Sequence, residues 1–373
     1  MNEQMRVAVV GAGRLGGFHA QKLSARDDVT LVAIVDPVEA ARNRVAAECH
    51  TEAKADYKGL FGKIDAAVIA SPTSLHHTIA RDFLQAGIHL LVEKPLCPTY
   101  EQANELVDIA KQKNVVLQVG HVERFNPAFE AAQKQLSDPK YIDAKRANGF
   151  TFRSTDVGVV LDLMIHDIDL VLSMVRSPVR KVDALGVSVL GGHEDVANAR
   201  IEFESGCVAN LSASRVSYDP VRKMQVWSAR AFANIDFATR SATMIRPSEM
   251  LMQRQFHVDR LTPEETEYQR AHFAGEQLPK EEITLAAVDA LALETADFIE
   301  SIRAGRQPVV TGEAGRDALA VAEQILDQIG RHCWDASVNG PTGPLALPGR
   351  HVLASPHFTP NEIETPVYRE KAS

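Results

Sequence analysis

Lys94, Asp162 and His166 are the side chains in this sequence whose types and spacing suit proton transfer. Asp162 and His166 stand four residues apart in the apolar run 161–170, and Asp169 follows a turn later. On a helix all three share one face. An acid one turn before a histidine can fix its tautomer and hold its ring. The alternative is a histidine satisfied inside an apolar core. Lys94 stands in the triplet Glu93-Lys94-Pro95, directly after the apolar run 90–92. Two charges at the end of a buried strand are costly unless they face a cleft. Pro95 would end the pairing and hold Lys94 rigidly at the strand end. The alternative is an ion pair in a surface loop.

The elements that must position these groups begin at the N-terminus. An apolar strand, 6–10, runs into Gly-Ala-Gly-Arg-Leu-Gly, then a helix-like stretch, then the apolar run 29–35 that ends in Asp36. This is the fingerprint of a dinucleotide site. Gly11 permits the tight turn, Gly13 lets the backbone approach a pyrophosphate, and Gly16 lets the helix pack close to the sheet. The helix N-terminus, with Arg14 and Leu15 in its first turn, offers free N–H groups and the positive end of a dipole to phosphates. Asp36 comes about 20 residues after the last glycine, where a ribose ligand is expected. A carboxylate accepts from ribose hydroxyls and repels a 2′-phosphate, so NAD is expected over NADP, although Arg14 could still reach a phosphate. The other reading of Asp36 is a turn or cap residue.

Sheets of this kind bind ligands at the carboxyl ends of their strands. Ser71, Thr73 and His76 fall at such an end, after the run 66–70. They suit a loop under the cofactor, and the hydroxyls suit a helix cap equally well. His76 and His77 are adjacent and so diverge; with no third ligand nearby, no metal site is expected.

Composition sets outer bounds. The chain has 373 residues, 45% of them hydrophobic and 24% charged, which is ordinary for a globular protein. A net charge of −9, with no basic run or basic-aromatic stripe, argues against a nucleic-acid surface. Cys49, Cys97, Cys207 and Cys333 lack the spacing of a disulfide framework or a zinc site and read as reduced thiols. No apolar run reaches the roughly 18 residues that span a bilayer, and no leader precedes the first strand. No membrane partner is expected, and a cytoplasmic location follows by default.

Strands and helices alternate over the first 120 residues. The runs 29–35, 66–70, 90–92 and 115–119 read as buried parallel strands, and 38–49, 75–86 and 100–113 as helices. That is an α/β, doubly wound Rossmann domain, taken as 1–121. Beyond it, 181–190, 197–204, 207–213 and 224–237 alternate as strands without intervening helices, with helices expected at 159–174, 285–304 and 315–333. Residues 122–334 are therefore expected to form an α+β domain with an open, mainly antiparallel sheet. A proline-rich extension, 335–373, carries little periodicity and reads as an arm or a disordered end.

Taken together, VVGAGRLGGFHA, Glu93-Lys94-Pro95, Asp162…His166 and the closing pattern Phe298-Ile299…Gly305…Pro308-Val309…Gly312…Gly315 resemble the Gfo/Idh/MocA family of sugar dehydrogenases. The resemblance spans nearly the whole chain to about residue 333. It implies NAD or NADP, oxidation or reduction of a sugar or cyclitol hydroxyl, and a homo-oligomer, dimer or tetramer, supported by the open sheet. It assigns Lys94, Asp162 and His166 as the catalytic set and Glu93 as a contact on the nicotinamide side. Within the family, Gly120-His121-Val122-Glu123-Arg124-Phe125-Asn126-Pro127 with 161–170 is similar to the UDP-N-acetylglucosamine 3-dehydrogenase branch, which implies a nucleotide-sugar substrate. Arg124 and Asn126 could meet a sugar or a diphosphate, or serve as a salt-bridge partner and a turn residue.

For such a reaction His166 is the expected base, since an ordinary histidine pKa of about 6.5 suits proton transfer near neutrality. Lys94 would stabilise the developing alkoxide, and Asp162 would orient His166 or touch a neighbouring hydroxyl. The lysine and histidine roles could be exchanged. Two other readings stand beside this one: a dehydrogenase of a free sugar or inositol, and a dinucleotide-sensing regulator that catalyses nothing.

Overall fold

The computed structural model describes residues 4–152, 157–283, 285, 288–335 and 340–346. Its first layer is a six-stranded parallel sheet in the order β3-β2-β1-β4-β5-β6. The strands are β1 (Met5–Val10), β2 (Val29–Val35), β3 (Glu52–Lys54), β4 (Ala66–Ile69), β5 (His89–Glu93) and β6 (Leu117–Gly120). Helices α1 (Arg14–Ser24), α2 (Glu39–Glu48), α3 (Thr73–Gln85) and α4 (Tyr100–Lys113) connect them. Strands buried on both faces need apolar side chains at successive positions, which is why residues 7–10 of β1 and the whole of β4 read as continuous hydrophobic runs. Gly11 and Gly16 are obligatory here. Gly11 has φ +107°, and a Cβ on Gly16 would lie 1.9 Å from the Gly11 carbonyl oxygen, so any side chain would push α1 off the sheet.

The second layer is an eight-stranded mixed sheet in the order β14-β13-β12-β11-β7-β10-β9-β8. It comprises β7 (Pro139–Ala147), β8 (Val179–Val187), β9 (Val196–Phe203), β10 (Val208–Ser214), β11 (Val221–Ser228), β12 (Phe232–Asp236), β13 (Ser241–Ile245) and β14 (Lys280–Ile283). Only β7 and β10 pair in parallel; the other neighbours are antiparallel. One face is covered by α5 (Pro127–Gln133), α6 (Ile165–Val175) and α10 (Gly312–Arg331). α7 (Glu249–Met252) and α8 (Pro263–Gln277) extend beyond β13, and α9 (Ala290–Ala304) returns to the first sheet. There Phe298 and Ile299 are buried with Val7, Val9, Val68 and Leu91. α10 serves both cores: Leu319 packs with the first and Ala318, Ala322, Ile325 and Ile329 with the second.

The expected strand 224–237 is in fact two, β11 and β12, joined by a tight turn in which Ser228 Oγ accepts from the Ala231 N–H. The expected helix 159–174 has a different first turn. Val160–Met164 forms a π-helical turn that leads into α6. The proline-rich extension lies largely outside the described residues; its first part turns back on the fold, with the Ser188 N–H donating to the Pro344 carbonyl at 3.0 Å. Among the described residues no helix is long and apolar enough to cross a membrane.

Candidate active site

The carboxyl ends of β1, β2, β4, β5 and β6 converge with the N-terminal turns of α1 and α6. At α1 the helix begins after Gly13 with no side-chain cap, and a Cβ on Gly13 would meet nothing within 4 Å. That leaves an open cradle at the positive end of a helix dipole, as a pyrophosphate requires. Asp36 holds the cradle in shape: one carboxylate oxygen accepts from the Ala12 N–H at 2.7 Å and the other from the Val38 N–H at 2.8 Å. The turn role of Asp36 is therefore realised, and each oxygen keeps a second lone pair for a ribose hydroxyl. Arg42, downstream, donates to the Asp36 and Pro37 carbonyls, and the Arg14 guanidinium lies 5.4 Å from the Phe18 ring. Leu15 and Phe18 stand exposed on the first turns of α1.

Below the cradle, Ser71 Oγ is buried without a partner among the described residues. An orphaned hydroxyl aligned with the strand ends fits a dinucleotide and leaves the cap role unfilled: α3 starts after Pro72, with no side-chain cap, and Thr73 is its first residue. His76 departs from its expected cofactor role. Its buried ring lies between the Pro95 carbonyl, 2.9 Å from Nδ1, and the Ser71 carbonyl, 2.8 Å from Nε2. It ties the two strand-end loops together.

At the end of β5 the Lys94–Pro95 peptide is cis. Lys94 Nζ donates to the Asp162 carbonyl at 2.6 Å and to its carboxylate at 3.1 Å. The two charges at the strand end part company: Lys94 is 14% exposed beside Asp162, whereas Glu93 is buried against His19. Of the two roles expected of Asp162, orienting His166 or touching a neighbouring hydroxyl, the first is not the one the fold uses: Asp162 anchors the lysine. The physical reason is the π turn, whose extra residue breaks the i, i+4 stacking that an α-helix would impose. The turn itself is fixed from outside, by Glu194, which accepts from the Val159 N–H through its carbonyl and from the Val160 N–H through its carboxylate.

His166 is half-buried, with Nδ1 buried and unpartnered. Burial pushes its pKa well below the usual histidine value, and the charges of Lys94, Arg146 and Arg222 push the same way, so the ring is neutral at pH 7. Its neighbour Asp167 binds Arg146 through three contacts of 2.8–3.2 Å, and Glu123 takes the remaining arm at 2.7 Å. Such a buried guanidinium with two acids locks α6, and with it His166, against β7.

Arg124 and Asn126, expected to meet substrate, have internal partners. Arg124 is bidentate to Asp169 at 2.7 and 3.2 Å. Asn126 caps α5, accepting from the Ala128 N–H, and donates to Glu123 and to the Phe237 carbonyl. The salt-bridge and turn alternatives are the ones the fold uses.

Three groups escaped the sequence reading. His121, directly after β6, is buried with neither ring nitrogen partnered among the described residues, its centroid 6.1 Å from that of His166. Its position at a strand's carboxyl end was the available signal. His19 on α1 bonds Glu93 at 2.7 Å in full burial, and Glu294 on α9 closes the cluster, the three offering ligand-type atoms within 4.8 Å of one another. As a donor set they could hold a metal ion. Burial drives Glu294 strongly toward its protonated form, with the Glu93 and Asp297 charges adding; Glu93 stays ionised, because its bond to His19 and the Lys94 charge outweigh its own burial. The signal for Glu294 was an acid on the buried face of an apolar helix.

Comparison with known proteins gives the chain's relatives. Residues 5–121 match the family described as "Oxidoreductase family, NAD-binding Rossmann fold", and residues 125–231 match "GFO/IDH/MocA C-terminal domain". The chain is 35% identical over 325 residues to UDP-N-acetylglucosamine 3-dehydrogenase of Acidithiobacillus ferrooxidans, covering 86% of this chain and 96% of that one. A solved structure of that enzyme superposes with a TM-score of 0.77 at 33% identity, over 87% of this chain and 98% of the other. The chain is also 30% identical to scyllo-inositol 2-dehydrogenase (NAD(+)) of Bacillus subtilis, over 58% of this chain and 69% of that one.

Proposed function

Because the chain belongs to the Gfo/Idh/MocA family of NAD-binding oxidoreductases, we propose that it oxidises a secondary hydroxyl of a nucleotide sugar, C3 of UDP-N-acetylglucosamine being the favoured target. The observation that carries the reading is the pairing of Lys94 with Asp162 next to a neutral, rigidly mounted His166. The Acidithiobacillus relative, matched over nearly its whole length, directs the choice of sugar.

Bound NAD supplies the hydride acceptor; all other steps fall to side chains. Gly13 and the first turn of α1 take the pyrophosphate, Asp36 the adenosine ribose, and Ser71 the strand-end face of the cofactor. Lys94 points its ammonium at the hydroxyl oxygen and stabilises the alkoxide as it forms. His166, neutral at working pH, accepts the hydroxyl proton. Asp162 keeps the ammonium from turning away. His166 and Lys94 together make little sense in a pure dinucleotide sensor, since sensing needs neither a base nor an oxyanion partner.

We further take the unit to be a cytoplasmic homo-oligomer with domains 1–121 and 122–334. The uncovered face of the second sheet carries a stacked aromatic row, Tyr141, Trp227 and Phe232, with centroids 4.9 and 4.8 Å apart. Light scattering on the purified protein gives the oligomer. NADH formation with UDP-N-acetylglucosamine, inositol and free hexoses, assayed side by side, tests the substrate. Turnover of inositol or a hexose in preference to the UDP-sugar would move the reading to the free-sugar branch, and no turnover of any would favour the sensor.

A further inference from the structure

Each cation around the His166 imidazole, except one, has an acid beside it. Lys94 has Asp162, Arg124 has Asp169, and Arg146 has Asp167 and Glu123. Arg222 is the exception: among the described residues it has no ion pair. Its place follows from strand register. Arg222 on β11 lies directly opposite Arg146 on β7, and opposite residues of an antiparallel pair project to the same face. That face is the one on which Met224 and Val226 are fully buried and on which Arg146 reaches Asp167. Arg222 is the last residue of the row, and it is exposed. Its charge nevertheless bears on both His166 and Asp167. A guanidinium on the site face of a sheet, open to solvent and with no acid paired to it among the described residues, is a fork for anionic oxygens.

The same end of the sheet has aromatic side chains standing in water. The Asn148 N–H donates to Ser214 and the Ser217 N–H to Asn148, so the segments after β7 and β10 run together there. From them project Phe152 and Tyr218, 85% and 103% exposed. A cation at the same end of a sheet as exposed aromatic side chains is the chemistry that receives a phosphorylated nucleoside.

We propose that Arg222 is the docking residue for the phosphate groups of a nucleotide-sugar substrate, holding the diphosphate outside the reacting pocket while the sugar lies between Lys94 and His166. This rests on the nucleotide-sugar reading above and adds the residue that separates such substrates from free sugars. Arg222 takes no part in the hydride or proton steps, so its removal acts on KM and leaves kcat nearly unchanged.

Two measurements separate this inference from the reading beneath it. Calorimetric binding of UDP to the NAD-loaded protein needs no turnover. UDP is expected to bind the wild type and to bind Arg222→Ala about ten- to a hundredfold more weakly, with Arg222→Lys between them because it keeps the charge and loses the fork. Failure of UDP to bind the wild type, or equal binding to Arg222→Ala, overturns the role of Arg222. Steady-state assays then compare UDP-N-acetylglucosamine, N-acetylglucosamine 1-phosphate, glucuronate and free N-acetylglucosamine. Arg222→Ala is expected to raise KM for the phosphorylated sugars and to abolish its salt dependence. A rise confined to glucuronate would show a carboxylate site and overturn the phosphate assignment. Wild-type turnover of free sugars alone would overturn the nucleotide-sugar reading, whatever UDP does.

Discussion

Lys94 Nζ lies 2.6 Å from the carbonyl oxygen of Asp162 and 3.1 Å from its carboxylate, joining the end of a parallel strand to the π turn of the other layer. The amine is thereby aimed by a residue 68 positions away, with two acceptors fixing its direction. Replacing Lys94 by alanine removes the oxyanion partner while leaving the glycine cradle and Asp36 untouched. The expected result is loss of turnover by at least about a thousandfold, with NAD affinity within about threefold of wild type by fluorescence titration. Appreciable residual turnover in Lys94→Ala would refute its role. Asp162→Asn, which keeps the carbonyl contact and weakens the other, should fall between the two.

Asp36 carries two duties at once, since the oxygens available to a ribose also fix the Ala12 and Val38 N–H groups. Asp36→Ala therefore loses charge-assisted bonds to the backbone as well as the ribose contact, and NAD affinity should drop by about ten- to a hundredfold. The preference for NAD over NADP should narrow as the repulsion of a 2′-phosphate disappears. An unchanged ratio of the two affinities would show that another residue discriminates between them.

The first sheet was readable because its signals are local. Glycine spacing, apolar runs and the strand-end triplet each refer to neighbours within a few residues, and β1, α1, β2 and Asp36 appear where those signals put them. The site was readable only as far as residue identity. Periodicity placed Asp162 and His166 on one face of a regular helix, but the π turn is set by Glu194, which comes from a distant strand connection, and so Asp162 faces Lys94 instead. Arg124 and Asn126 could be given two roles each from sequence because their partners, Asp169 and Phe237, are brought to them by tertiary packing. Glu294 was missed for the same reason: its significance lies in meeting Glu93, 201 positions earlier by the numbering, under α1.

His166 owes its low proton affinity to burial first and to the surrounding cations second. A base that stays neutral below the ordinary histidine value of about 6.5 remains active in mild acid. The acid limb of kcat/KM should then lie below pH 6.5, and His166→Gln should lower kcat by about a hundred- to ten-thousandfold. An acid limb at or above that pH, lost in no variant of His166, would assign the titrating group elsewhere.

Glu294 gives the fold a pH dependence of definite sign. Buried without a partner among the described residues, it keeps its proton to a higher pH than the same residue in the unfolded chain, whose ordinary value is 4.5. Between those two values the unfolded chain has released a proton that the fold still holds, so raising the pH favours unfolding. The contribution is fully present below the unfolded value and is lost as pH rises toward the folded one. Glu294→Gln keeps the shape and removes the titration. The melting temperature of the variant minus that of wild type should therefore climb as the pH is raised above the ordinary value of 4.5, whatever its value at the start. A difference that stays level or declines would mean that Glu294 is ionised inside the protein, and that something other than a proton balances the His19–Glu93 pair.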